Sequence, residues 1–223
     1  MSDKPEGTRK HPAKYTDSLM KPIFELLPKD AVKILDPFAG TGKIFKLNDF
    51  GRSFDIYAVE IEPEWACLDK RIILGDALEL PFLDGGFDAV CTSPTYGNRM
   101  ADSFNAADSS QRNTYHHALG RKPSKGSSAT LQWGNDYRKF HIRAWLEVWR
   151  VLKSGGCFIL NIKDHVRCGE IQDVSGWHLN LLTSEIGFDH VESVKVKVPS
   201  NRFGKNGTAR IEHENLFKLR KPK

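Results

Sequence analysis

The chain has 223 residues, of which 39% are hydrophobic and 27% are charged, a balance typical of one globular domain with a sizeable core. Its net charge of +5 and pI near 9.0 fit a polyanionic partner and an ordinary basic protein about equally well. No apolar run reaches the length of a membrane-spanning helix, the N-terminus lacks a signal-peptide core, and the cysteines form no C-x-x-C pair, so we expect a cytoplasmic protein without a zinc site.

The chain begins with a polar stretch, residues 1–12, which we expect to be a mobile arm. The remainder, residues 13–223, is predicted to form a single domain. Apolar residues at positions 19–27 recur with helical spacing, Thr16 or Asp17 is placed to cap such a helix, and a proline at position 28 is placed to end it.

Residues 33–42, Lys-Ile-Leu-Asp-Pro-Phe-Ala-Gly-Thr-Gly, predict a buried strand that runs directly into a tight turn. Gly40 and Gly42 allow the backbone to bend sharply and a ligand to approach it closely, since neither carries a Cβ. Asp36 ends the strand, where its carboxylate faces the crevice that opens at the carboxyl edge of a parallel sheet.

Two other glycine-rich loops fit this stretch less well. A P-loop needs Gly at the position of Pro37 and Ser or Thr at the position of Ile44. A dinucleotide-binding fingerprint needs a third Gly at the position of Phe45.

Two further predicted strands also end in acids. Residues 55–60 end in Glu60, about 20 residues after the glycine loop, the spacing of an acid that accepts hydrogen bonds from a ribose diol. Glu62 is the alternative for that role. Residues 71–74 are followed by Gly75, Asp76 and Ala77, so three acids are predicted at neighbouring strand tips of one crevice.

A fourth strand, residues 87–91, continues into Thr-Ser-Pro-Thr-Tyr-Gly at residues 92–97. Together with Asp-Pro-Phe-x-Gly-x-Gly, the Ser-Pro-Thr-Tyr segment resembles the S-adenosylmethionine-dependent DNA amino-methyltransferases, which modify N4 of cytosine or N6 of adenine. Thr95 departs from the second proline that is usual in that family.

The resemblance implies a class I methyltransferase fold, S-adenosylmethionine as cofactor and Ser93, Pro94 and Tyr96 as catalytic residues. An exocyclic amine is a poor nucleophile until acceptors such as Ser93 Oγ and the Pro94 carbonyl draw its N–H groups out of the ring plane, and Tyr96 offers a flat face to a flipped base. Cys91 lies inside the strand, which excludes a cysteine mechanism. The implied cofactor-binding residues are Lys14, Tyr15, Thr16, Asp36, Phe38, Gly40, Gly42, Glu60, Asp76, Ala77 and Ser93.

Residues 97–135 are predicted to be a long polar insertion that faces the substrate, with basic and aromatic residues interleaved, a composition that suits a nucleic-acid strand. The alternative is a lid that makes no contact with bases. His116 and His117 have no carboxylate or cysteine at ligand spacing, so we predict no metal site. The predicted substrate-binding residues are Tyr96, Asn98, Arg99, Arg121, Trp133 and, in the basic loop at 199–209, Arg202.

The rest of the chain completes an alternation of helices and strands. Residues 137–152 and 174–186 are predicted helices on either side of a buried strand at 157–161, and residues 190–198 and 211–219 are a predicted antiparallel pair. We therefore predict a doubly wound α/β sheet, mostly parallel, with an antiparallel C-terminal hairpin.

Three functional hypotheses follow. The first is methyl transfer to a base in DNA, with Ser93 favouring N4 of cytosine over N6 of adenine. The second is the same chemistry on RNA, and the third is a catalytically impaired nucleic-acid-binding protein, which Thr95 motivates. A restriction-modification role would need a separate nuclease, and the sequence leaves the oligomeric state open.

Overall fold

The computed structural model describes residues 11–12, 17–102, 114–198 and 211–223. Within these ranges, seven strands form a central sheet in the order β3-β2-β1-β4-β5-β9-β8, and β6 and β7 form a separate small hairpin. The strands are β1 (Lys33–Asp36), β2 (Asp55–Glu60), β3 (Ile72–Leu74), β4 (Phe87–Thr92), β5 (Leu152–Ile162), β6 (His165–Arg167), β7 (Glu170–Gln172), β8 (Asp189–Lys197) and β9 (His213–Arg220).

The first five strands are parallel, with β1 between β2 and β4. The last two sheet strands are antiparallel, and β9 lies between β5 and the edge strand β8. The predicted doubly wound, mostly parallel sheet with an antiparallel C-terminal hairpin is confirmed. Because parallel strands point the same way, the residues that end β1, β2, β3 and β4 meet at one edge of the sheet.

Helices cover both faces of the sheet. They are α1 (Asp17–Leu26), α2 (Pro63–Ala66), α3 (Tyr115–Leu119), α4 (Asn135–Val151) and α5 (Val174–Asn180), with 3₁₀ helices at Lys43–Phe50, Arg99–Ala101 and Ser128–Thr130. A π-helical turn, Leu181–Ile186, extends α5 to the end of the helix that the sequence predicts at 174–186.

The core is divided by the sheet into two layers, since side chains alternate along each strand. On one face Ile34 of β1 packs with the apolar side of α1. On the other face Leu35 packs with α4, where Trp145 is completely buried. Both faces of β1 are therefore covered, which explains why its two central residues, Ile34 and Leu35, are both apolar.

The structure adds elements that the sequence analysis did not predict. They are the short helices α2 and α3 and the two strands of the β6–β7 hairpin, and each is three to five residues long. Such short elements leave too few residues for a periodic pattern. The predicted long loop at 97–135 thus carries local structure in its described parts, residues 97–102 and 114–135.

In the described ranges no helix is long and apolar enough to cross a membrane, and no group of metal-ligating side chains is found. The cysteines are free: Cys91 and Cys157 are buried, whereas Cys67 and Cys168 are exposed.

Candidate active site

The glycine loop after β1 is a tight turn fastened to the neighbouring strand. Gly40 and Gly42 have φ angles of 54° and 76°, in the left-handed region that favours glycine. The Gly40 backbone N–H donates to Glu60 Oε2 over 2.8 Å, so the acid that ends β2 holds the loop. Its second oxygen, Oε1, accepts from the Glu62 N–H at 2.9 Å.

Asp36, which ends β1, is fully buried beside this loop. Its Oδ1 accepts hydrogen bonds from Thr92 Oγ1 at 2.6 Å and from the Phe38 N–H at 3.1 Å. Its Oδ2 has no hydrogen-bond partner among the described residues. Burial raises the pKa of Asp36 to about 7, because a carboxylate loses hydration there that these two donors only partly replace.

Glu60 is in the same electrostatic situation. Burial raises its pKa to about 7, against the effect of the two backbone donors, and the neighbouring Glu62 and Asp36 charges raise it further. Two adjacent acids with pKa values near neutrality favour the binding of a cationic group or of hydroxyl donors in the crevice.

Asp76, after β3, lies under the segment that follows α3. Its Oδ1 accepts from the Leu78 N–H at 2.9 Å. Gly126 crosses above its other oxygen so closely that a Cβ at that position would lie 3.0 Å from Asp76 Oδ2, and the φ angle of Gly126 is 90°. Glycine is therefore required where the insertion covers this strand tip. Ala77 is buried next to Asp76.

Arg121, a predicted substrate-binding residue, forms ion pairs with two carboxylates. Its Nη2 donates to Glu62 Oε2 at 2.8 Å and to Glu64 Oε2 at 2.5 Å. Glu62 is completely buried and also accepts from the N–H and the hydroxyl of Ser124, each at 2.8 Å. Arg121 therefore anchors the insertion, since two carboxylates contact its guanidinium, and its role in substrate binding stays a prediction. Glu62, the alternative acid for the ribose, is the buried centre of this anchor.

An aromatic group covers the glycine loop from the other side. The His11 ring packs against Trp65 and Tyr115, with ring centroids 4.1 Å and 5.8 Å away. A Cβ on Gly40 would lie 3.2 Å from His11 Nε2. Thus part of the segment before α1 reaches the loop, although the predicted contacts Lys14, Tyr15 and Thr16 lie outside the described residues.

The tip of β4 carries a polar cluster that we call the tip cluster: Ser93, Tyr96, Asn161 and Glu214. Ser93 Oγ and Tyr96 Oη are 2.8 Å apart, and Tyr96 Oη is 3.1 Å from Glu214 Oε2. Asn161 Nδ2 lies 2.6 Å from Glu214 Oε2, 2.9 Å from Tyr96 Oη and 3.1 Å from Ser93 Oγ. Burial, followed by the Glu214 charge, raises the pKa of Tyr96 well above its ordinary value, so its hydroxyl stays protonated.

Thr95, which stands in place of the second proline, is hydrogen-bonded through both its side chain and its backbone. Its hydroxyl donates to the Ser128 carbonyl at 3.2 Å, and its own carbonyl accepts from Tyr137 Oη at 2.7 Å. Tyr137 is in turn 3.0 Å from His178 Nε2, and Trp145 Nε1 donates to His178 Nδ1 at 2.9 Å. This chain of donors determines the neutral tautomer of His178, whose pKa burial lowers well below its ordinary value.

The remaining predicted contacts lie around the same loop. Pro94 is buried behind Ser93. The Trp133 N–H donates to the Gly97 carbonyl at 2.8 Å, and the Arg138 guanidinium lies 4.6 Å from the centre of the Trp133 ring. Asn98 Oδ1 accepts from the Met100 N–H at 3.0 Å and so caps a 3₁₀ turn.

Phe38 turns toward α4, with its ring centroid 6.0 Å from that of Trp145. The side chain of Arg99 and all of Arg202 lie outside the part of the chain that the structure describes.

The structure thus joins most of the predicted residues at one edge of the sheet. It adds Asn161 and Glu214, which the sequence analysis missed. Asn161 had a usable signal, since it is a polar residue near the end of an apolar strand, the same pattern that identified the three acids. Glu214 had none, because its place beside the Ser-Pro-Thr-Tyr segment depends on how β9 pairs with β5.

Comparisons with known proteins agree on the architecture. The structure is similar to a SAM-dependent methyltransferase from Methanosarcina mazei (TM-score 0.56, 16% identity, covering 90% of this chain and 96% of that one). It is also similar to the N-methyltransferase NodS from Bradyrhizobium japonicum (0.55, 14%, 92% and 95%) and to the cyclase SpnF (0.54, 17%, 92% and 81%). No family model and no curated protein matches the chain.

These likenesses show that the chain has the class I, Rossmann-like methyltransferase fold. The fold alone does not determine the reaction, because an N-methyltransferase and a cyclase both have it.

Proposed function

We propose that this protein transfers a methyl group from S-adenosylmethionine to the exocyclic amine of a base in DNA, N4 of cytosine in preference to N6 of adenine. One observation carries the proposal: the hydrogen bond of 2.6 Å between Thr92 Oγ1 and Asp36 Oδ1. It joins the strand tip that bears Ser93 and Pro94 to the strand that opens the glycine loop, so an amine-binding loop and a nucleotide-type crevice share one wall.

The residues of the crevice fit this cofactor. Asp36 Oδ2 is a buried acceptor without a partner in the described ranges, and Glu60 is an acid at the spacing of a ribose ligand. Asp36, Gly40, Gly42, Glu60, Asp76 and Ala77 would hold the cofactor, with Phe38 behind the loop. When bound, S-adenosylmethionine supplies an electrophilic methyl group on a positively charged sulfur.

The β4 tip supplies the acceptors that an amine nucleophile needs. Ser93 Oγ and the Pro94 carbonyl accept hydrogen bonds from the two N–H groups of the amine and so favour a lone pair that is no longer delocalised into the ring. The proton is lost after attack, when the amine has become acidic, so no strong base is required. Tyr96 would contribute stacking of about 1–3 kcal/mol to a flipped base.

Three features support a nucleic-acid substrate. The chain has a net charge of +5, and Trp133 and Arg138 stack on each other beside the Ser-Pro-Thr-Tyr segment. Two further basic residues from the sequence analysis, Arg99 and Arg202, remain proposed phosphate contacts. The Ser-Pro sequence at the catalytic position favours cytosine.

The test compares the wild type with Ser93→Ala. Each is incubated with labelled S-adenosylmethionine and either DNA or RNA, and cofactor binding is measured separately by calorimetry. We expect the wild type to label DNA and Ser93→Ala to bind cofactor normally but to label nothing. Label in RNA alone would move the substrate to RNA, and cofactor binding without label in either polymer would support an impaired, nucleic-acid-binding protein.

A further inference from the structure

We infer that Glu214 and Asn161 are positioning residues that make Ser93 Oγ a hydrogen-bond acceptor toward the substrate amine. This inference rests on the proposed function and deepens it, because it names one residue on β5 and one on the C-terminal hairpin that prepare the catalytic serine. Neither residue belongs to the Ser-Pro-Thr-Tyr segment.

The two residues are brought to the β4 tip by the sheet itself. β5 lies between β4 and β9, and the β5–β9 ladder pairs Asn161 with Leu216. Asn161 and Glu214 are 1% and 9% exposed, so they interact with the catalytic loop and hardly at all with solvent. Their polar atoms lie 2.9–3.1 Å from those of Ser93 and Tyr96.

The direction of the hydrogen bonds follows from the carboxylate. Glu214 Oε2 can only accept, so both of its neighbours in the cluster must donate to it. Tyr96 therefore directs its only proton to Glu214, over 3.1 Å. One Asn161 N–H also points to Glu214, over 2.6 Å, which fixes the orientation of the amide.

The proton of Ser93 is then determined as well. Since the Tyr96 proton is used on Glu214, Tyr96 Oη has lone pairs to offer, and the Ser93 hydroxyl donates to it over 2.8 Å. The second Asn161 N–H is shared between Tyr96 Oη and Ser93 Oγ, which lie 2.9 Å and 3.1 Å from Asn161 Nδ2. Ser93 Oγ thus keeps a lone pair for the amine N–H instead of presenting its own proton.

A second buried acceptor supports a cluster built to receive a donor. Asn161 Oδ1 is buried and has no hydrogen-bond partner among the described residues. A buried amide oxygen without a partner is costly, so such sites usually serve a ligand or a functional arrangement.

The test is Glu214→Gln, which keeps the shape but allows a donor next to Tyr96. Once the Asn161 amide turns its unpartnered Oδ1 toward position 214, the Gln nitrogen donates one N–H to that oxygen and the other to Tyr96 Oη. Tyr96 then donates to Ser93 Oγ, and the serine loses its acceptor role. We expect kcat for methyl transfer to fall roughly 10- to 100-fold while KM for DNA and the cofactor Kd stay unchanged. Glu192→Gln, an exposed carboxylate on β8, is the matched control and should behave as the wild type.

A second background separates positioning from general structure. Tyr96→Phe keeps the ring but removes the hydroxyl through which Glu214 acts, so it should lower kcat by itself, and adding Glu214→Gln should lower it no further. Tyr96→Phe also serves as the test if Glu214→Gln does not fold.

The outcomes separate this inference from the proposed function. A wild type that transfers no methyl group would overturn the proposed function. A wild type that transfers normally with an equally active Glu214→Gln would overturn only the positioning role. The positioning role would also be overturned if Glu214→Gln lost the same factor with and without the Tyr96 hydroxyl, or if Tyr96→Phe kept the wild-type kcat.

Discussion

At the scale of single residues, Glu60 has two roles, one structural and one proposed for cofactor binding. It fastens the glycine loop through the Gly40 N–H and it is the acid proposed for the cofactor ribose. Glu60→Gln keeps an oxygen for one of these contacts but loses the charge. Because hydrogen bonds to charged groups contribute about 1.5–3 kcal/mol, we expect S-adenosylmethionine to bind roughly 10- to 100-fold more weakly.

Calorimetric titration measures that change directly. Glu79→Gln, an exposed acid in the turn after β3, is the control and should leave the affinity unaltered. Unchanged affinity in Glu60→Gln would remove Glu60 from the cofactor site and leave it only its role in the loop.

The pKa values of Asp36 and Glu60 predict how cofactor binding depends on pH. Both values are raised to about 7, so each carboxyl is partly protonated at neutral pH. A positively charged ligand favours the ionised forms, and its binding therefore releases protons. We expect the affinity for S-adenosylmethionine to rise as the pH increases through 7 and to level off above it.

Calorimetry in two buffers of different ionisation enthalpy would count the released protons. Asp36→Asn should reduce the number released near pH 6.5, since one of the two titrating groups is gone. Affinity that stays flat from pH 6 to pH 8 would contradict this assignment.

At the scale of elements, α4 and α5 support the Ser-Pro-Thr-Tyr segment through Tyr137 and His178. Tyr137→Phe would leave the part-buried Thr95 carbonyl and the fully buried His178 N–H without their partner. An unsatisfied buried group costs about 1–3 kcal/mol, so we expect a lower Tm and slower methyl transfer.

Thermal unfolding compares this variant with Tyr57→Phe. The Tyr57 hydroxyl donates to Asp55 Oδ2 at an exposed position, so its loss should have little effect. Equal stability of the two variants would mean that the buried chain does not hold Thr95.

The insertion is attached to α2 in part by a charged cluster that can be tested in the same way. Arg121→Met would leave Glu62 buried without its charged partner. Breaking a buried pair at one end costs about 3–5 kcal/mol, and we expect somewhat less here because the Arg121 side chain is 36% exposed. Urea unfolding should show that adding Glu62→Gln restores part of the loss; no restoration would mean that the buried charge is not the cause.

The elements also show what sequence could and could not predict. β2, β4 and α4 follow from continuous apolar runs or helical spacing, and the acids that end β1, β2 and β3 follow from their positions after those runs. The ion pair of Arg121 with Glu62 was not predicted, because the two residues are far apart in the sequence and only the fold brings them together. Glu214 depends on a register between strands far apart in the chain, which no local pattern records.

At the scale of the whole molecule, the parallel part of the sheet brings the glycine loop and the Ser-Pro loop to the same edge, and the antiparallel hairpin adds Glu214 to them. The insertion lies across the tips of β2 and β3 through Arg121 and Gly126. We therefore propose that the substrate binds at the tip of β4, between the insertion and the C-terminal hairpin.

The most direct test of this account is to identify the methylated nucleoside. DNA containing both cytosine and adenine is incubated with the wild-type protein and S-adenosylmethionine, digested to nucleosides and analysed by mass spectrometry, with Ser93→Ala as the control. The account predicts N4-methylcytosine, absent from the control. A methyl group on a ring carbon, or no methylated nucleoside from a preparation that binds the cofactor, would contradict it.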